Sequence, residues 1–204
     1  MKTLKDIKHW EEMKNQVIQG DCLEGMKMLP DKCIDLVLTD PPYGIGIAGN
    51  PFRQKYKKSN WDDQPMSKEA LKEIFRISKH QVIWGGNYFN LPPTQGFYIW
   101  DKVQPKDFSS SMCEYAWSSL QSPAKLYKQR VVSIKKFHPT TKPIDLMRWC
   151  LEFFPDANMV CDPFMGSWTT ARACKDLGRD FIGFELSEDY CRVGEERLRQ
   201  EVLF

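Results

Sequence analysis

The order of patterns in the C-terminal third constrains this chain most. Pro143 to Phe154 reads as a helix, with proline at a starting position that has no use for an amide donor. Met159 to Cys161 is a short apolar strand. Gly166 to Leu177 is helical and closed by Gly178. Phe181 to Phe184 is a strand again, and Ser187 can cap a last helix to about Val202. Alternation of this kind builds a parallel sheet, because parallel neighbours need a crossover and the crossover helices cover the sheet's faces.

The preceding residues fit the same α/β plan. Val17 to Gly20 reads as a strand, and Leu23 to Leu29 as a helix stopped by Pro30. Ile34 to Thr39 (IDLVLT) is a short branched apolar run, as in a strand buried on both faces. Residues 44–66, rich in Gly, Asn, Lys and Pro, form a long loop of the sort that acts as a lid. Ser67 caps a helix to about Lys79, followed by strands at Gln81–Trp84 and Gly96–Trp100. Residues 102–137 differ: alternating stretches at Glu114–Trp117 and Arg130–Ile134 read as antiparallel strands. With 204 residues and 42% apolar content, one domain spanning 1–204 is expected. No apolar run is long enough to span a bilayer, and the first residues lack the apolar core of a secretory leader. Seven cysteines without a CxxC pair, beside three histidines, point to a reduced, cytoplasmic chain with no metal.

Two stretches carry chemistry. Asp40-Pro41-Pro42-Tyr43 follows the IDLVLT strand, at the carboxyl end where open α/β sheets bind ligands. Asp40 accepts hydrogen bonds, the prolines stiffen the chain and free its carbonyls to point outward, and Tyr43 offers a flat face for a base. Such a cradle suits a planar exocyclic amino group; a rigid turn with a capping Asp and a packing Tyr is the plainer alternative. Asp162-Pro163-Phe164-Met165-Gly166-Ser167-Trp168-Thr169-Thr170 lies between a strand and a helix, where free amides meet a charged ligand. Glu185 ends the next strand, where an acid can bind ribose hydroxyls. An ordinary βαβ unit with a capped helix would look similar. The glycine fingerprint of a nicotinamide-dinucleotide enzyme is absent from every strand–helix junction.

Both stretches, in this order, together with Gly20-Asp21-Cys22, His138-Pro139-Thr140-Thr141-Lys142-Pro143 and Gly183-Phe184-Glu185 with Tyr190, resemble the beta group of DNA amino-methyltransferases. The resemblance covers about residues 16–43 and 138–198, and more weakly 81–101. It implies a Rossmann-like methyltransferase fold, S-adenosylmethionine (AdoMet) as cofactor, double-stranded DNA as partner and a homodimer, in the setting of restriction–modification. It implies that Asp40, Pro41, Pro42 and Tyr43 hold a flipped base. Asp21, Cys22, Thr140, Lys142, Pro143, Asp162, Phe164, Gly166, Ser167 and Glu185 would form the cofactor pocket. The Asp form of the tetrapeptide points to adenine N6, whereas cytosine-N4 enzymes more often carry Ser there; an RNA amino group is a further alternative. One departure stands out: Trp168 replaces a glycine usual in the group. An indole packed away from the pocket would leave a working site, the reading we expect because the other pocket residues remain. An indole in the pocket would leave a non-catalytic nucleic-acid-binding protein.

Net charge is only +2, but its distribution is uneven. Residues 121–142 carry Lys125, Lys128, Arg130, Lys135, Lys136 and Lys142 without an acid, and Arg53, Lys55, Lys57 and Lys58 sit in the expected lid. Apart from Lys142, these are the candidates for gripping phosphates while 102–137 reads the target. Asp40→Ala should abolish methyl transfer and spare most AdoMet affinity; turnover retained in a radiolabelled-methyl assay would refute the role of Asp40.

Overall fold

The computed structural model describes residues 1–46, 62–105, 111–131 and 141–200. In chain order the strands are β1 (Lys2–Thr3), β2 (Gln16–Gln19), β3 (Ile34–Thr39), β4 (Ser78–Trp84), β5 (Phe97–Asp101), β6 (Cys113–Ser118), β7 (Lys125–Lys128), β8 (Met159–Asp162) and β9 (Asp180–Glu185). The helices are α1 (Cys22–Lys27), α2 (Lys68–Ile77), α3 (Ile144–Glu152), α4 (Thr169–Asp176) and α5 (Glu188–Arg199). All nine strands join one sheet in the order β1-β2-β9-β8-β3-β4-β6-β5-β7. It is parallel except at β6, which runs antiparallel to β4 and β5. This is the expected α/β architecture.

β3 is central because both its faces are apolar. Leu36 and Leu38 join one core cluster, with Leu146 of α3 and Ala171 and Cys174 of α4. Ile34 and Val37 join the other, with Met26 of α1 and Ile74 and Ile77 of α2. From β3 the chain passes through α2 to β4 on one side; from β8 it passes through α4 to β9 on the other. Crossovers of one hand moving in opposite directions put their helices on opposite faces. The carboxyl ends of β3 and β8 therefore border the crevice where such sheets bind ligands.

Local chemistry sets the element ends. Asp21 caps α1 by accepting from the Leu23 amide at 2.7 Å, Ser67 caps α2 through the Ala70 amide at 3.1 Å, and Ser187 caps α5 through the Tyr190 amide at 3.3 Å. α2 stops at Ile77, short of the expected Lys79. Ser78 turns to extended backbone, and its hydroxyl donates to the Ile74 carbonyl at 2.5 Å, occupying an acceptor that the next helical turn would use. β4 therefore begins at once. α4 begins at Thr169 rather than Gly166, because residues 166–168 form the turn leading into it. After β5, Glu114–Trp117 falls in β6, antiparallel as expected; β7, Lys125–Lys128, is a strand not expected from the sequence and pairs parallel to β5, while the expected strand Arg130–Ile134 is described only as far as Val131. Residues 132–134 lie outside the described ones.

Trp168 has left-handed backbone, φ 62° and ψ 32°, a conformation that costs a non-glycine residue about 1–2 kcal/mol. Its indole turns inward and is only 4% exposed. Burying an aromatic of this size contributes several kcal/mol at about 25 cal/mol per Å². That exceeds the backbone cost even though, among the described residues, its Nε1 has no hydrogen-bond partner. The room comes from α5: a Cβ on Gly194 would lie 2.1 Å from the indole Cγ and Cδ2. Gly194→Ala gains about 1 kcal/mol of helix propensity but overpacks a rigid ring, at a cost of about 1–3 kcal/mol. We expect a net loss in urea unfolding, recovered in Trp168→Gly/Gly194→Ala; a stabilised single variant would contradict this packing.

Candidate active site

The two chemical stretches meet on one edge of the sheet. β3 and β8 are parallel neighbours, with Leu36 opposite Val160 and Val37 opposite Cys161. Asp40 and Asp162 thus stand at adjacent strand ends. Thr39 Oγ1 donates to Asp162 Oδ1 at 2.6 Å across 123 residues of sequence.

Asp40 sits in a buried polar network. Its Oδ1 accepts from the Tyr43 hydroxyl at 2.5 Å, and its Oδ2 pairs with Lys142 Nζ at 2.5 Å. Lys142 also pairs with Glu114 Oε2 at 2.9 Å, and Lys102 with Glu114 Oε1 at 2.6 Å. Burial raises the Asp40 carboxyl, and the Lys142 ammonium opposes that rise. Burial would raise Glu114 too, but Lys142 and Lys102 outweigh it and draw Glu114 down to about 2. Tyr43 stacks on Tyr88, with centroids 4.9 Å apart and planes 12° apart. Its ring also lies against Gly85, where a Cβ would be 2.1 Å from the ring and where φ is +67°. Only glycine meets both demands. The Tyr43 and Gly44 amides donate to Asp62 Oδ1 at 2.8 and 3.0 Å, and the Met66 amide donates to the Pro42 carbonyl at 3.0 Å. The two ends of the expected lid thus brace the tetrapeptide; residues 47–61 of it, with Arg53, Lys55, Lys57 and Lys58, lie outside the described residues.

Asp162 organises the second stretch. Oδ1 accepts also from the Phe164 amide at 3.0 Å, and Oδ2 from the Thr170 hydroxyl at 2.7 Å. Burial nevertheless pushes its carboxyl up to about 6. Glu185 accepts from the Gly166 amide at 2.8 Å and the Ser187 amide at 2.7 Å, and burial pushes it up to about 7. Gly166, with φ +52°, has nothing closer to a virtual Cβ than the Phe164 carbonyl at 4.0 Å, so the turn faces open space. Ser167 is buried, its Oγ 3.5 Å from Thr141 Oγ1 and 3.4 Å from Thr169 Oγ1. Asp21 ends the loop after β2, and burial pushes the neighbouring Cys22 thiol up to about 12. Pro143 caps α3.

The structure also sorts the remaining candidates. Lys142 reaches Asp40 rather than the 162–170 turn. Lys128 and Arg130 lie near the same edge as Asp40, because β7 runs parallel to β5 and opposite to β6, which itself opposes β4. Lys125 begins β7, about 10 Å away at 3.3 Å per residue, with its ammonium 6.0 Å from the Phe153 ring centroid. Thr140, Lys135 and Lys136 lie outside the described residues. Sequence reasoning missed Glu114, Lys102, Tyr88, Asp62 and Thr39, and gave Thr170, inside the second stretch, no role of its own. Tyr88 alone had a visible signal, an aromatic just past a strand-ending Gly85-Gly86 pair. Among the described residues, no group of His, Cys, Asp and Glu could hold a metal ion, and no helix is long and apolar enough to cross a membrane.

A family model described as DNA methylase, for N6/N4 enzymes, matches residues 55–196. This chain belongs to that family. The Escherichia coli K12 protein YubD, named a methylase, is 30% identical over 207 residues, covering 90% of each chain. The type II methyltransferase M.HinfI of Haemophilus influenzae is 27% identical, over 91% of this methylase and 68% of the relative. Two solved structures share the fold: M1.HpyAVI in complex with SAM (TM-score 0.58, 21% identity, 91% of this methylase and 99% of that chain) and the cytosine-N4-specific PvuII DNA methyltransferase (TM-score 0.62, 16% identity, 93% and 88%). The fold is thus the Rossmann-like methyltransferase fold, and the family's cofactor is AdoMet.

The buried acids give the methylase an unusual pH dependence. Asp162 and Glu185 rise from ordinary values of 3.8 and 4.5 to about 6 and about 7. Between those values the folded protein holds protons that the unfolded chain has released. Their contribution to stability is therefore full at low pH and is lost as pH climbs through this window. The melting temperature of the cofactor-free protein should fall as pH rises from about 4 to about 7 and level off above that, and Glu185→Gln should flatten that slope. A slope unchanged in Glu185→Gln would contradict the assignment.

Proposed function

We propose that this methylase transfers the methyl group of AdoMet to the exocyclic N6 of an adenine flipped out of double-stranded DNA. One observation carries the reading: Asp40 and the Asp162–Glu185 turn share an edge at the crevice of the sheet, locked together by the Thr39–Asp162 hydrogen bond.

The residues at the turn fit the cofactor. AdoMet carries a sulfonium, an ammonium and a ribose diol, and when bound it supplies an electrophilic methyl. Buried carboxylates pushed up to about 6 and 7 gain from a nearby cation or from hydroxyl donors. Glu185 would hold the ribose, Asp162, Phe164, Gly166 and Ser167 the methionine part and adenosine, and Asp21 and Cys22 the adenine. Trp168 fills the gap at Gly194 instead of this space, which supports catalysis over a purely binding role.

On the target side, Asp40 would accept one hydrogen of the adenine amino group. The Pro42 carbonyl is taken by the Met66 amide, so the Pro41 carbonyl is our choice for the other. Acceptors on both hydrogens raise electron density at the nitrogen and fix its direction, so that positioning and electrostatics supply the rate. Asp40, raised by burial, then takes the proton that the methylated amine must shed. Tyr43 would stack on the base, which has to leave the duplex to reach it. Lys128 and Arg130 lie near this edge and would grip phosphates. All seven cysteines are free, as suits the reducing cytoplasm where DNA is methylated.

Nucleoside mass spectrometry on DNA from a host expressing this methylase should show N6-methyladenine. N4-methylcytosine in its place would overturn the adenine assignment, and methylated nucleosides in RNA alone would overturn the DNA substrate.

A further inference from the structure

Glu114 is the second residue of β6 and belongs to neither motif. Its carboxylate touches two ammonium groups, Lys102 at 2.6 Å and Lys142 at 2.9 Å. Lys142 continues to Asp40 at 2.5 Å, and its side chain is only 4% exposed. A line of alternating charge thus runs from the end of β5 to the tetrapeptide, buried at Lys142 and half-buried at its other members. Buried pairs of this kind are weak sources of stability, since desolvation offsets most of the attraction, so a functional reason is worth seeking.

We propose that Glu114 and Lys142 are a positioning pair for the target base: Glu114 holds the Lys142 ammonium against Asp40, and that ammonium keeps Asp40 ionised and aimed as the acceptor for the target's amino group. The pair works on the target side of the site and not in the cofactor pocket. The inference rests on the methyl-transfer function proposed above. A carboxylate has four lone-pair directions, and Tyr43 and Lys142 take one on each oxygen, leaving acceptor capacity for the substrate amine.

The signs of the charges make the idea testable. Asp40 faces Lys142 before α3, Glu114 on β6 with Lys102 behind it, Tyr43 with Tyr88 beyond it, and Asp162 on β8. Removing the Lys142 charge leaves Asp40 among Glu114 and Asp162, both acidic, so its proton-bound form gains. Glu114→Gln keeps a side-chain oxygen to hold the Lys142 ammonium but takes away the negative charge that repels Asp40, and so acts in the opposite direction.

The experiment is a carboxyl-carbon NMR titration of aspartate-labelled, cofactor-free protein, with the Asp40 signal identified by its loss in Asp40→Asn. Lys142→Met should raise the Asp40 midpoint by about one pH unit or more, Glu114→Gln should lower it, and Lys142→Arg should return it towards wild type. In turnover at saturating AdoMet, Lys142→Met should lose about tenfold or more of kcat at pH 7 and recover as pH rises, while AdoMet Kd stays within about twofold in all three variants. Midpoints that do not move, or that move the same way in Lys142→Met and Glu114→Gln, overturn the inference. An AdoMet affinity lost in Lys142→Met with an unmoved midpoint also overturns it, by placing Lys142 in the cofactor pocket. If the midpoints move as stated but wild type methylates nothing, the proposed function fails while the electrostatic pairing stands.

Discussion

The parallel pairing of β3 with β8 is the constraint on which the site depends. Sequence puts the two chemical stretches far apart; register puts their aspartates side by side. The Thr39 hydroxyl then fastens one strand end to the other through the Asp162 carboxylate. A hydrogen bond to a charged acceptor contributes about 1.5–3 kcal/mol, modest for the fold but well placed to set the spacing between cofactor and target. α2 and α4 cover opposite faces, so neither lies across the crevice where these strands end.

Electrostatics gives that edge its character. Asp40, Glu114, Asp162 and Glu185 gather there, with Lys142 and Lys102 as the counter-charges at one end. The paired end favours ionised acids: Glu114 falls to about 2. Around Asp162 and Glu185 the described residues offer the two carboxylates backbone amides and hydroxyls but no ammonium, and these acids rise to about 6 and about 7. A single edge thus holds one half that is already neutralised and one half suited to a cationic ligand.

Much of this was legible in sequence, because the signals were local. Caps at Asp21, Ser67 and Ser187 and the doubly apolar run Ile34–Thr39 name their elements from neighbouring residues alone. The strand-end positions of Asp40 and Glu185 followed from the same reading. What escaped depends on strand order and side-chain reach. Glu114 belongs to the site only because β6 runs against its neighbours, bringing its first residues to the edge where the other strands finish. Lys142 lies near both halves in sequence motif, and only its reach to Asp40 says which half it serves. β7 is four residues with a lysine at each end, too short a pattern to mark a strand from sequence; it skips over β6 to the outer side of β5. For Trp168, the direction of the indole depends on a glycine in another helix.

A crystal structure of this methylase with sinefungin, in which an amine carbon replaces the sulfonium, tests the shared edge most directly. The sinefungin amine should lie within about 6 Å of the Asp40 carboxylate, room for one exocyclic nitrogen making contacts of about 3 Å on either side. The ribose should rest on Glu185, with the indole of Trp168 still against Gly194. Sinefungin bound elsewhere, or an indole swung into the space before Gly166, would contradict a single cleft serving cofactor and target.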